Sequence, residues 1–138
     1  MTATDVVEKV RARIGEVSAP VTMTVEAGHL RRWCEAIGDP NPRWREEAPP
    51  TFLAAMGAEL PRVAEALEYG QGWLNGGDAF EYARPVRPGD QITARTRLVD
   101  AYEKQGKSGS MLFLVTETVF TDPKGATVAS IRGTRIRR

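Results

Sequence analysis

At 138 residues, with 41% hydrophobic and 27% charged side chains, the chain has the composition of one globular domain with one core. Lys+Arg 19 against Asp+Glu 18 leave a net charge of +1, too weak a field to gather a polyanion, so nucleic acid is not an expected partner. The lone Cys34 forms no internal disulfide, Cys34 and His29 together make no zinc site, and no long apolar run occurs, so metal, secretion and membrane spanning are all disfavoured. Asp5, Glu8, Lys9, Arg11 and Arg13 stand where a leader would need apolar residues, and a cytoplasmic location is expected.

Val6, Val7, Val10 and Ile14 recur at helical spacing, which predicts an amphipathic helix over residues 5–13 closed by Gly15. Between Val17 and Val25, apolar Val21, Met23 and Val25 alternate with Thr22 and Thr24 as in a half-buried strand. Leu30, Trp33, Cys34 and Ile37 return to the helical period, with Gly38 placed as the C-cap. Gly38, Pro40, Pro42, Pro49 and Pro50 make residues 38–50 a loop, and a loop this long in a small domain points to function. Pro61 reads as the first residue of a helix running to Glu68, after which Gly70, Gly72, Gly76 and Gly77 break the pattern.

From Asp78 the chain reads as a β-meander. Phe80, Tyr82 and Val86 lead to a type II turn at Arg87-Pro88-Gly89-Asp90, and Ile92 to Leu98 alternate as a strand with one wet face. Gln105 to Ser110 reads as a loop, and Met111 to Phe120, apolar at nearly every position, as a strand buried on both faces. A type I turn at Asp122-Pro123-Lys124-Gly125 precedes a return strand from Thr127 to Ile136. There, Arg132, Arg135, Arg137 and Arg138 around Ile131, Thr134 and Ile136 suggest an edge strand guarded by charge. Trp33, Trp73, Phe80 and Tyr82 are assigned to core or interface. This order is α+β, and pattern alone leaves several α+β folds open.

The segment Ala36-Ile37-Gly38-Asp39-Pro40-Asn41-Pro42 resembles the Gly-Asp-x-Asn-Pro-x-His motif of the MaoC-like family of R-specific enoyl-CoA hydratases and 3-hydroxyacyl dehydratases. The stretch Leu74 to Asp90, with Phe80-Glu81-Tyr82, Arg84-Pro85 and Gly89-Asp90, is similar to the amino-terminal, non-catalytic type of MaoC-like domain, as is Ala48-Pro49-Pro50-Thr51-Phe52. The likeness covers roughly residues 10–138. It implies a single hot-dog domain, a curved antiparallel sheet wrapped around a helix, acting on an acyl thioester of CoA or a carrier without a cofactor.

In catalytic members of that family an Asp and a His act on a water and on the α-carbon proton, and a backbone amide stabilises the enolate oxygen. Carried onto this chain, the Asp is Asp39 and the Asn is Asn41, next to Gly38, but the His position is Trp44. An indole donates one N–H and exchanges no proton near neutral pH, so a factor of ~10² to 10⁴ is lost. His29 reads as a surface or capping residue, and Asp39 can equally order a proline-rich turn. Arg84 and Arg87, with Lys104 and Lys107, are candidates for the phosphates of the CoA or carrier arm.

MaoC-like proteins are often double hot dogs or heterodimers in which one unit has lost the Asp/His pair and widened the acyl tunnel. The resemblance therefore implies a non-catalytic chain beside a second, catalytic MaoC-like chain, and small Ala54, Ala55, Gly57 and Ala58 fit a roomy interior. Two alternatives are a homodimeric hydratase pairing Asp39 with a nonstandard acid such as His29, and a hot dog that binds acyl-CoA without chemistry.

Overall fold

Alternating apolar positions, most of them in the second half of the chain but including Val21 and Met23, assemble a five-stranded antiparallel sheet, seen in a computed structural model that describes residues 2–56 and 63–138. Its strands are β1 (Val21–Thr24), β2 (Trp73–Tyr82), β3 (Gln91–Gly106), β4 (Gly109–Thr121) and β5 (Thr127–Arg137), in the spatial order β1-β3-β4-β5-β2. Helices α1 (Ala3–Arg11) and α2 (Ala27–Ile37) pack against it.

Helix α1 starts at Ala3, earlier than apolar spacing predicts, because Thr2 forms a capping box with Asp5: the Asp5 N–H donates to Thr2 Oγ1 at 3.2 Å and the Thr2 N–H to Asp5 Oδ2 at 3.0 Å. Its Val6 and Val10 are buried with Leu98, Ala101, Leu112 and Leu114. Helix α2 ends where expected, with Gly38 at φ 67 as a left-handed cap. Its Leu30 enters a second apolar cluster with Phe52, Val86, Ile92 and Phe120. Each large side chain so buried contributes about 1.5–3 kcal/mol.

Several expected boundaries move. The strand expected over Val17 to Val25 is regular only at Val21–Thr24, with one bridge from Val17 to Arg97. The first meander strand, expected from Asp78, already begins at Trp73, so Gly76 and Gly77 lie inside β2, where the register slips between Asn75 and Gly77 as a bulge. Strand β2 ends at Tyr82, so Val86 is core beyond the strand. The expected loop at Gln105 to Ser110 is a tight hairpin in which Gly106 pairs with Gly109. Cross-strand contacts hold that hairpin: Tyr102 stacks on Phe113 at 5.0 Å and Gln105 Nε2 donates to Ser110 Oγ at 2.7 Å.

Strand β4 is buried on both faces only in part: Leu112, Leu114, Thr118 and Phe120 are buried on one face, while on the other Val115 is buried and Met111, Phe113 and Val119 are partly exposed. Strand β5 is not an edge, because β2 pairs along its whole length and leaves β1 and β2 as the edges. Of the expected helix from Pro61 to Glu68, Pro61 and Arg62 lie outside the described residues, as do Gly57 and Ala58; Ala64–Glu68 is a 3-10 turn, as is Phe52–Ala55.

Candidate functional site

The prolines after α2 dictate a turn, and side-chain caps shape it. The Asp39 N–H donates to Cys34 O at 3.0 Å as the chain leaves the Gly38 cap. The Asn41 N–H donates to Asp39 Oδ1 at 3.1 Å, and the Arg43 N–H to Asn41 Oδ1 at 3.0 Å, so Asn41 caps the 3-10 helix Pro42–Arg45. That single turn swings Trp44 back over the loop, where its Nε1–H donates to Asp39 Oδ2 at 2.7 Å. The Arg43 guanidinium lies 5.5 Å from the Trp44 ring centroid and also pairs with Glu47.

A cleft of about 610 Å³ opens here, lined by Leu30, Cys34, Gly38, Asp39, Asn41 and Trp44 among others. Both Asp39 carboxylate oxygens accept hydrogen bonds, from an amide and an indole, neither able to relay a proton at neutral pH. Burial, then the negative charges of Asp39 and Glu35, push the Cys34 thiol up from its ordinary value. His29 does not line this cleft and packs edge-on against Phe52, ring centroids 5.0 Å apart.

The turn Arg87 to Asp90 forms as expected: Gly89 has φ 91, and the Asp90 N–H donates to Arg87 O at 3.1 Å. Its Pro88 lines the same cleft, so two segments far apart in sequence meet at one rim. Arg84 Nη1 donates to Asp90 Oδ2 at 2.9 Å and is held by the turn, whereas the Arg87 side chain is exposed. Burial works to raise the Asp90 pKa, but bonds from the Arg87 N–H and Arg84 outweigh it and hold the carboxyl below its ordinary value. Lys104 and Lys107 sit at the opposite end of β3, Lys104 over the Tyr102 and Phe113 rings.

A second hollow lies on the concave face of the sheet. A cavity of about 410 Å³ is lined by Val63, Trp73, Leu98, Leu114, Thr116 and Arg135, among others. Another of about 190 Å³ is lined by Leu53, Phe120, Ile131, Gly133 and again Thr116 and Arg135. Gly133 keeps the floor low, since a Cβ there would stand 2.8 Å from Asp78 Oδ1. Sequence reasoning missed this trough by placing Arg135 on an edge. The available signal was the run of threonines, Thr96, Thr116 and Thr118, on strand faces otherwise apolar.

A curved antiparallel sheet with helices laid against it, and an Asp-bearing loop after the second helix, define the hot-dog class of α+β domain. Residues 12–131 match the family model of the FAS1-like dehydratase domain region, and the chain belongs to that family. A UPF0336 protein of Thermobifida fusca is 30% identical over 109 residues, spanning 67% of this chain and 70% of its own. A chain of the ChsH1-ChsH2 complex from Mycobacterium tuberculosis superposes with a TM-score of 0.75 at 20% identity, over 97% of this chain and 89% of that one. A chain of the HadBC 3R-hydroxyacyl-ACP dehydratase complex from the same organism gives a TM-score of 0.71 at 19% identity, over 90% of this chain and 96% of that one. MaoC-like dehydratases also share the fold. No helix among the described residues is long and apolar enough to cross a membrane.

Proposed function

We propose that this chain is a subunit of an R-specific enoyl-CoA hydratase or 3-hydroxyacyl-thioester dehydratase, and that it is the subunit without the acid/base pair. The observation that carries this reading is the indole N–H of Trp44, 2.7 Å from Asp39 Oδ2. Hydration of an enoyl thioester needs a base to take a proton from water as it attacks the β-carbon and an acid to supply the α-carbon. An indole N–H fills the place of the proton carrier and does neither. Asp39 and Asn41 then serve as the retained frame of a site, with Gly38 setting its entry angle.

The remaining features suit an acyl-shaping partner. The trough over Thr116 and Arg135 offers a wall for an acyl chain. Strand β2 has one edge unpaired among the described residues and exposes Trp73, Leu74 and Tyr82, a surface suited to a second hot-dog chain carrying the Asp/His pair. Two of the structural relatives are themselves complexes. Arg87, exposed beside the cleft, is the residue best placed to meet a phosphate of the CoA or carrier arm.

The test is to purify the chain from its native cell with whatever it carries, identify the partner, and assay trans-2-enoyl-CoA hydration by the chain alone and by the complex. The reading expects turnover by the complex only. Enzymatic turnover by the chain alone, abolished by Asp39→Ala, overturns it in favour of an active homodimer.

A further inference from the structure

The trough on the concave face is polar at its centre and apolar at both ends, and this pattern says more about the acyl group than its volume does. Register places Leu98, Thr116, Gly133 and Asp78 in one row across β3, β4, β5 and β2, and Ala101, Leu114, Arg135 and Asn75 in the next. One end is walled by Leu53, Phe120 and Ile131, the other by Leu98, Leu114 and Trp73. Between them stand the Thr116 hydroxyl and the Arg135 guanidinium, which line both cavities.

Arg135 is only partly engaged. Its Nη1 donates to Asn75 Oδ1 at 3.1 Å, Asp78 Oδ1 at 3.2 Å and Thr134 O at 3.2 Å, and among the described residues all its hydrogen bonds leave from that one nitrogen. The Arg135 side chain keeps 35% of its surface exposed and Asp78 24%. Thr116 is half-buried, and its hydroxyl has no hydrogen-bond partner among the described residues. A plain hydrocarbon lying across this belt would strip water from these donors and return nothing, which opposes binding. An oxygen at that depth would instead accept from Arg135 and Thr116. Asp78 offsets the guanidinium charge, so the complementary group is a neutral oxygen rather than a carboxylate.

We propose that the preferred substrate is an acyl thioester whose chain carries a hydroxyl or ketone oxygen remote from the thioester, recognised by Arg135 and Thr116. Arg135 and Thr116 are here specificity-determining residues. The inference rests on the reading of the trough as an acyl wall.

The test titrates the purified full chain, with any hot-dog partner that accompanies it, against CoA thioesters of one chain length. The set comprises a saturated acyl chain, chains bearing a ketone at successive mid-chain carbons, and one ending in a carboxylate. One oxo position is expected to bind about tenfold tighter than the saturated match, the worth of a charge-assisted hydrogen bond. Arg135→Met should bring that ratio to about one, and Thr116→Val should lower it in part, in both cases with the saturated chain binding tighter than to the wild type because the donors it would strip of water are gone. A wild-type ratio near one at every position, with the saturated chain still binding, overturns the inference and leaves the acyl reading standing. Tightest binding of the carboxylate overturns the neutral-oxygen assignment. Failure of every thioester to bind brings down the acyl reading and the inference together.

Discussion

At the scale of single residues, the proposed loss of the acid/base pair rests on one side chain. Trp44 occupies the hydrogen-bonding position beside the carboxylate, at 2.7 Å, with a group that donates but never accepts. Exchanging it for imidazole is therefore the most informative substitution. Trp44→His is expected to raise trans-2-enoyl-CoA hydration by the isolated chain by at least about tenfold, with a pH limb near the ordinary histidine value of about 6.5. Adding Asp39→Ala to that variant should remove the gain, and an unchanged rate would show that more than a proton carrier is missing. Trp44→Phe loses the bond to Asp39, and thermal unfolding should show a loss of about 1 kcal/mol.

At the scale of elements, turns and caps hold the cleft's two walls. Gly38 closes α2 in the left-handed region at φ 67, and nothing lies within 4 Å of where a Cβ would be. Gly38→Ala should therefore meet no neighbour yet be strained by its left-handed backbone, a loss of about 1 kcal/mol seen as a lower denaturant midpoint at unchanged slope. The Arg87 to Asp90 turn depends on a carboxylate held below its ordinary value by hydrogen bonds that outweigh its burial. For a depressed acid, the stabilisation is present above the unfolded pKa and disappears as pH falls through the folded one. Asp90→Asn should accordingly lower stability at pH 7 by roughly 1–3 kcal/mol. The gap to wild type should close as pH drops below the unfolded value of 3.8, followed by chemical denaturation across pH.

At the scale of the whole molecule, the sheet is left open at β2. Trp73 and Leu74 are 46% and 40% exposed on a strand that, among the described residues, pairs only with β5. An unpaired edge of this length invites another strand. Hydrogen exchange on the assembled protein is expected to show the outward amides of β2 protected by more than about a hundredfold over the same amides in dilute monomer. Light scattering should meanwhile give a mass of at least two hot-dog units. Unprotected β2 amides in the assembled species would place the partner elsewhere.

Residue order by itself determined whatever depends on near neighbours. The α2 cap at Gly38 and the turns at Arg87 to Asp90 and Asp122 to Gly125 were legible, because spacing and backbone restriction act within a few residues, although the loop expected over residues 38–50 holds the 3-10 helix Pro42–Arg45. What only tertiary structure decided was pairing at a distance. Strand β2 adds itself outside β5, which converts a presumed edge into an interior strand and turns Arg135 onto the concave face beside Thr116. The Trp44 bond to Asp39 spans only five residues and depends on the local 3-10 turn Pro42–Arg45, whereas the meeting of that loop with Pro88 at one cleft is tertiary. A strand's period of two says which residues share a face but not which neighbour that face meets, and the core settles the choice only when all strands close over it together.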